Sequence, residues 1–85
     1  MDRLESMSVF VAAVETGSLS AAGRRLGIPL TTVSRKLSDL EARLKTRLLT
    51  RSTRQLGLTD TGRAYYESSK RILEGVAEAE RAASG

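Results

Sequence analysis

The chain has 85 residues and a net charge of +4, which suits one small domain with a modest core. It contains neither Cys nor His, so disulfides, thiolate metal sites and the commonest general base are excluded. Its acidic residues form no close pair on an apolar background, apart from Glu78 and Glu80 in a polar helix. We therefore expect no enzyme, no cofactor and no metal. The charged start MDRLESM lacks an apolar signal segment, and no run could span a bilayer, so we expect a cytoplasmic protein.

The charge is unevenly distributed along the chain. Residues 24–63 hold ten Lys and Arg against three Asp and Glu, a local charge of +7, while the rest of the chain carries −3. A basic middle between acidic ends is typical of a polyanion-binding face, although an unevenly charged solvated surface is the alternative. The only aromatic residues, Phe10, Tyr65 and Tyr66, lie outside the basic stretch, which argues against stacking on single-stranded bases.

A first helix is predicted over residues 3–16. It has one apolar stripe, which we expect to face the core: Leu4, Met7, Phe10, Val11 and Val14. Gly17 should end it, and Ser18 is an N-cap candidate for the next helix, which Gly27 should end. Gly23 lies inside that second helix, where it suggests a close helix crossing.

Residues 17–41 indicate two short helices joined by a tight turn, with Pro29 near the start of the second. The helix that starts near Pro29, the third in chain order, should end near Lys45. Its apolar stripe is Val33, Leu37, Leu40 and Leu44, and its other face carries Thr31, Thr32, Ser34, Arg35 and Ser38. Short hydroxyl side chains around a guanidinium can approach a major groove closely, and Arg35 can fork onto a guanine edge or a phosphate. The pattern predicts a DNA-binding helix-turn-helix; a solvated face on an ordinary helical hairpin is the alternative.

Two short strands joined by residues 50–54 are predicted next, with Leu48, Leu56 and Leu58 facing the core. The resulting β-hairpin wing would carry donors for phosphates at its tip: Arg51, Ser52, Thr53 and Arg54. An exposed basic loop without a partner is the alternative.

The longest helix is predicted over residues 60–82, opened by Thr59 and Asp60. It carries a seam at heptad spacing: Tyr65, Ser69, Ile72, Val76, Ala79 and Ala83. A helix of about 23 residues extends roughly 35 Å, which is longer than a small core can cover. We therefore expect its far half to pair with a second copy of the chain, unless the whole stripe packs on its own domain.

Four segments in this order resemble the N-terminal domain of LysR-type transcriptional regulators. They are FVAAVETGSLSAAGRRLGI, TTVSRKLSDLEARL, RLLTRSTRQLGLTDTG and the long helix that follows. The resemblance implies a mainly α winged helix-turn-helix, with three helices and a short β-hairpin wing, followed by a long linker helix that dimerises the domain. It also implies a bacterial activator or repressor that binds operators as a dimer of dimers. A small-molecule effector would act only through a C-terminal domain, which this sequence lacks.

Some residues match the family's pattern and others depart from it. Ser34 and Arg35 match the recognition helix, and Arg51 and Arg54 match the paired arginines of the wing. Pro29 and Leu30 stand where Ser and Gln are usual, so Leu30 would touch a thymine methyl or simply pack. Lys45 replaces the usual glycine, so the recognition helix must close without one.

We predict a head over residues 1–59 and a dimerising linker helix over residues 60–85. The head should bind duplex DNA, with base edges nearest Thr31, Thr32, Arg35 and Ser38, and with Ser34 near a phosphate or a base. Arg51 and Arg54 should reach the backbone or the minor groove. Ser18 and Ser20 are candidates to bind a phosphate, although Ser18 is equally suited to be a plain helix cap. The rival functions are a helical protein-interaction module with an incidental basic face, and a general binder of RNA or membrane surfaces.

Overall fold

Three short helices, a two-stranded hairpin and a long helix follow one another in the computed structural model, which describes residues 2–51 and 55–85. Of Arg51 only the backbone is described. The elements are α1 (Arg3–Thr16), α2 (Leu19–Leu26), α3 (Leu30–Leu44), β1 (Leu49–Arg51), β2 (Leu56–Leu58) and α4 (Asp60–Ser84). The predicted winged helix-turn-helix with a following long helix is confirmed, and α4 continues two residues beyond the predicted end.

The helix ends follow from local chemistry. The side-chain oxygens of Asp2, Ser18 and Thr59 accept hydrogen bonds from N–H groups in the first turns of α1, α2 and α4. The predicted cap at Ser18 is thus confirmed. Lys45 ends α3 at φ 57°, a left-handed conformation that usually favours glycine. The helix therefore closes without glycine, as expected.

The turn between α2 and α3 depends on two glycines. Gly27 ends α2 at φ 71°, a backbone conformation that costs glycine little. A Cβ on Gly23 would lie 2.7 Å from the carbonyl oxygen of Ile28, whose own N–H donates to the Gly23 carbonyl at 3.0 Å. The close approach expected at Gly23 is present, but its nearest partner is the backbone of the turn rather than a crossing helix.

The core lies where α1, α2, α3 and the start of β1 meet. Its fully buried apolar members are Val9, Phe10, Ala12, Ala13, Ala22, Val33, Leu37, Leu40, Leu48 and Leu49. The inner stripe of α3 is confirmed except at Leu44, which is 38% exposed where the helix leaves the core. Leu56 and Leu58 pack against the core from the wing, as predicted.

The predicted inner face of α1 is partly confirmed. Phe10 is buried and half-buried Val14 packs against the core, but Leu4 is 41% exposed, and Met7 and Val11 are only half-buried. The buried residues of α1 are Ser6, Val9, Phe10, Ala12 and Ala13. The physical reason is that α1 contacts α2, α3 and α4 together. Three of the buried residues, Ser6, Ala12 and Ala13, are small, which allows neighbouring helices to approach this face closely.

The wing is an antiparallel pair of strands. Leu49 lies opposite Leu58, and Arg51 lies opposite Leu56. Directly before β1, the carbonyl of Leu48 accepts a hydrogen bond from the N–H of Thr59 at 3.1 Å. The base of the wing is therefore tied to the residue that starts α4.

The first turns of α4 lie on the head. The ring of Tyr65 packs against Phe10 with centroids 5.5 Å apart, and Ser69 is fully buried. A Cβ on Gly62 would lie only 2.0 Å from the carbonyl oxygen of Leu48. Glycine is therefore needed at position 62, because the backbone of Leu48 occupies the space of a side chain.

Replacing Gly62 with Ala should lower the free energy of unfolding by about 2–3 kcal/mol, because the added methyl meets backbone atoms that cannot rotate away. Gly75→Ala is a matched control in the same helix, since no atom lies within 4 Å of its added Cβ. It should raise stability by about 0.5–1 kcal/mol through helix propensity. Urea unfolding of both variants measures the difference. Equal effects of the two substitutions would contradict this close contact.

Candidate nucleic-acid interface

The outer face of α3 carries a continuous exposed stripe. Thr31, Arg35 and Ser38 follow one another at spacings of four and three residues, and all three are exposed. Thr32 and Ser34 flank this stripe and are half-buried. The structure therefore brings the five predicted polar residues of α3 onto and beside one outward surface. We call the exposed stripe of Thr31, Arg35 and Ser38 the α3 face.

Arg35 stands at the centre of the α3 face. Within the described residues its guanidinium makes neither an ion pair nor a hydrogen bond. The neighbouring Lys36, by contrast, forms an ion pair with Glu5 of α1. The forked donors of Arg35 are therefore available to a carboxylate, a phosphate or a base edge.

Ion pairs divide the basic residues into two groups. Besides Lys36, Arg25 pairs with Glu15 at 2.9 Å, and Arg47 lies 3.9 Å from Glu41. In the described part of the chain, five cations from the basic stretch have no such partner: Arg24, Arg35, Arg43, Lys45 and Arg63. These charges are not neutralised by an ion pair among the described residues, so they add to a positive potential that could attract a polyanion.

The two serines at the start of α2 differ in their surroundings. Ser18 is half-buried, and its hydroxyl oxygen accepts a hydrogen bond from the N–H of Ala21 at 2.9 Å. Ser20 is exposed in the first turn. The hydroxyl oxygen of Ser18 thus caps α2, although its hydroxyl hydrogen can still be donated to a ligand. Phosphate binding by this pair stays a prediction.

The two arginines predicted at the wing lie mostly beyond the described structure. The backbone of Arg51 ends β1, and its side chain is outside the described residues. Arg54 is outside them entirely, as are Ser52 and Thr53. Their contact with the DNA backbone is therefore predicted from their positions in the sequence alone.

Glu41 is a positioning residue that the sequence did not suggest. Its Oε2 atom accepts hydrogen bonds from the N–H of Leu48 at 2.7 Å and of Leu49 at 3.1 Å, and its side chain is only 13% exposed. A carboxylate of α3 therefore fixes the start of β1. The available signal was an acidic residue four positions after Leu37, on the buried side of an otherwise basic segment.

Glu15 connects three helices. Besides its pair with Arg25 of α2, it accepts a hydrogen bond from the hydroxyl of Tyr66 in α4 at 3.1 Å. Burial and the adjacent Glu15 carboxylate raise the pKa of Tyr66, so its hydroxyl stays protonated and able to donate to Glu15 further into the alkaline range than an ordinary tyrosine. No pattern within the local sequence predicts this contact, because Glu15 and Tyr66 are far apart in the chain.

The predicted dimer seam divides into two parts. Ser69 is fully buried within the protomer and Tyr65 packs on Phe10, so the prediction is wrong for Ser69 and Tyr65 faces the head. The reason is that the first turns of α4 cover α1. Further along α4, Ile72 is 44% exposed and Val76 is half-buried, followed by exposed Ala79 and Ala83. These four residues keep an uncovered apolar surface.

The described residues also bear on the requirements of a membrane-spanning helix and of a metal site. No helix in the described ranges is both long and apolar enough to cross a membrane. Over the same residues, no three His, Cys, Asp or Glu side chains are grouped so that they could hold a metal ion.

The fold and the exposed α3 face define a winged helix-turn-helix protein. The family described as "Bacterial regulatory helix-turn-helix protein, lysR family" matches residues 4–63. The chain belongs to this LysR family, as its four sequence segments indicated.

Curated relatives are transcriptional regulators that are much longer than this chain. An HTH-type transcriptional regulator of Xanthomonas campestris pv. campestris (strain 8004) is 51% identical over 79 residues, which cover 93% of this chain and 23% of that protein. The HTH-type transcriptional activator AaeR of Escherichia coli (strain K12) is 47% identical over 76 residues, or 89% and 25% of the two chains. The chain therefore spans about a quarter of these relatives.

Similar solved structures include two DNA complexes. The CbnR DNA-binding domain in complex with DNA is 35% identical, with a TM-score of 0.87 and complete coverage of both chains. The BenM DNA-binding domain on a catB site 1 DNA is 32% identical, also with a TM-score of 0.87, over 100% of this chain and 98% of that one. These similarities cover α4 as well as the head.

Replacing Glu41 with Ala should lower the free energy of unfolding by about 2–3 kcal/mol, because two backbone donors lose a charged acceptor. Glu41→Gln keeps an acceptor oxygen and should cost less. Asp39→Ala is the control, since Asp39 is exposed on the same helix, and it should change stability by no more than about 0.5 kcal/mol. Urea unfolding compares the three variants. If Glu41→Ala unfolds like Asp39→Ala, the carboxylate does not hold β1.

Proposed function

We propose that this protein is a sequence-specific duplex-DNA-binding domain of a bacterial transcriptional regulator. The observation that carries the proposal is the α3 face, on the second helix of the helix-turn-helix, where Arg35 has no ion-pair partner among the residues that the structure describes. Membership of the LysR family and the likeness to two domains solved with DNA support it. Binding to the bacterial chromosome would take place in the cytoplasm.

In this proposal α3 enters the major groove. Thr31, Arg35 and Ser38 lie nearest the base edges, where hydroxyls can donate or accept and a guanidinium can bind guanine with two hydrogen bonds. Thr32 and Ser34 flank them, with Ser34 close to a phosphate or a base. These side chains are short apart from Arg35, so the helix backbone can approach the bases closely.

Contacts to the sugar–phosphate backbone would hold α3 in register. Arg51 and Arg54 of the wing are assigned to phosphates or to the adjacent minor groove. Exposed Ser20, together with the hydroxyl of Ser18, is assigned to a phosphate near the start of α2. Such contacts raise affinity for any duplex and make binding salt-dependent, while the α3 face selects the sequence.

Selection of bound sequences from a random duplex pool tests the function directly. Enrichment of a defined site, with affinity that falls steeply as salt rises, is the expected result. Single-stranded DNA and anionic vesicles, tested at the same salt, address the rival binder of RNA or membrane surfaces. Failure to enrich any site, with affinity for duplex that does not depend on salt, would favour the protein-interaction module.

Replacing Arg35 with Ala should weaken binding to the selected site by about 1–3 kcal/mol, with a smaller loss on random duplex. Arg35→Lys is the matched variant, because it keeps the charge but loses the forked pair of donors. It should retain affinity for random duplex and lose discrimination. Titrations at fixed salt measure both quantities. Equal losses on the two duplexes would make Arg35 a phosphate anchor instead.

We also propose that α4 forms a homodimer through its far half. Its uncovered residues are Ile72, Val76, Ala79 and Ala83. Burial of an aliphatic side chain stabilises by roughly 1.5–3 kcal/mol, so this short seam should give a weak dimer. DNA with two half-sites should strengthen it, because the second head then binds at a high effective concentration. A two-fold pair also requires half-sites about one helical turn apart, or a multiple of it.

The double substitution Ile72→Asp with Val76→Asp should abolish the dimer and leave the head folded, because two carboxylates cannot enter an apolar seam. The charge-matched control is Lys70→Ala with Arg71→Ala, which lowers the net charge equally at exposed positions. Sedimentation with and without selected two-site DNA measures the assembly. If the Asp variant dimerises as strongly as the wild-type protein, this seam is not the interface.

A further inference from the structure

Leu30 is an aliphatic residue at the edge of a polar surface. It is the first residue of α3, and its side chain is 49% exposed. Val33, one turn further, is fully buried, and half-buried Ile28 packs against the core, but Leu30 is not among the side chains that do so. Leu30 therefore lies outside the core, and about half of its side chain is open to a ligand. Single exposed leucines are ordinary in proteins, so the exposure of Leu30 does not by itself indicate a function.

The position of Leu30 is distinctive. Helix side chains lean towards the N-terminus, so the side chain of Leu30 projects beyond the N-terminal end of α3. In helix-turn-helix docking, the N-terminal residues of the second helix contact base edges. Leu30 adjoins exposed Thr31 and precedes Arg35 on the same helix, both of which belong to the α3 face. Leu30 is not on the α3 face itself but beside it, at the N-terminal end of the helix. A ligand that contacts the α3 face and also reaches that end of the helix would touch Leu30.

The chemistry of the groove restricts what Leu30 can touch. Its side chain can neither donate nor accept a hydrogen bond, so it gains nothing from a phosphate and would displace water from a charged group. Among the groups that bases present in the major groove, the apolar one is the C5-methyl of thymine. We propose that Leu30 determines specificity by contacting a thymine methyl group. This inference rests on the proposed DNA-binding function and names one base that the site should contain.

Deoxyuridine provides a test that leaves the protein unchanged. In the duplex selected by the wild-type protein, each thymine is replaced in turn by deoxyuridine, which removes only the C5-methyl group. One position in each half-site should lose about 4-fold in affinity, the equivalent of the ~0.8 kcal/mol that burial of one such carbon contributes. The same series is measured with Leu30→Ala. That variant should bind the unmodified duplex more weakly and be insensitive to deoxyuridine at that position.

Leu44→Ala is the matched control, because Leu44 is the same residue type at the opposite end of α3 and is 38% exposed. It should keep the wild-type sensitivity to deoxyuridine. Circular dichroism checks that each variant is folded.

Two results would overturn the inference while the proposed function stands. One is a wild-type protein that binds its selected site but tolerates deoxyuridine at every thymine. The other is an equal loss in the wild type and in Leu30→Ala, which would assign the methyl contact to another side chain such as Thr31. A wild-type protein without affinity for duplex DNA would instead remove the proposed function and this inference together.

Discussion

The peptide of Leu48 is the point on which the arrangement of the domain depends. Its N–H donates to Glu41 of α3 at 2.7 Å, and its carbonyl accepts from the N–H of Thr59 at 3.1 Å. Gly62 of α4 lies so close to that carbonyl that a Cβ would be 2.0 Å away. The recognition helix, the base of the wing and the start of the long helix therefore meet at one residue. The contacts with Thr59 and Gly62 are between backbone atoms, so neither of them can relax by a change of rotamer.

This junction also determines how the DNA-facing parts are held relative to one another. Glu41 lies on the inner side of α3, while Arg35 lies on the outer face of the same helix. The carboxylate that fixes β1 is thus rigidly connected to the side chain proposed to read bases. A wing held at a constant distance from α3 can contact the backbone only when the helix is in register. In the proposed complex, affinity from the wing and selectivity from α3 would therefore depend on the same geometry.

The pairing of charges separates structural cations from available ones. Lys36 and Arg25 are drawn to carboxylates of α1, whereas Arg35 has no partner among the described residues. Exposed ion pairs contribute little to stability, so their main consequence is where the unpaired charge remains. The net charge of +4 understates the potential near α3, because the acidic residues lie mostly outside the basic stretch.

The sequence predicted features that depend on neighbouring residues and missed those that depend on distant ones. The cap at Ser18, the turn at Gly27 and the inner stripe of α3 follow from spacings within one or two helical turns. The buried face of α1 was predicted only in part, because three helices cover it and bury residues outside the predicted stripe, such as Ser6 and Val9. Glu41 was missed for a similar reason, since its partners lie seven and eight residues away at the start of a strand, whose position is set by tertiary packing.

The division within α4 follows from the same long-range packing. The helix was expected to be a separate linker from residue 60, yet Tyr65 packs on Phe10, Tyr66 donates to Glu15 and Ser69 is fully buried. We infer that the head extends into α4 as far as Ser69, and that the separate part begins near Ile72. A continuous helix joins the two parts, so an orientation imposed on the far half is transmitted to the head without a hinge. A dimer formed there would consequently set the distance and angle between two α3 faces through Gly62 and Leu48.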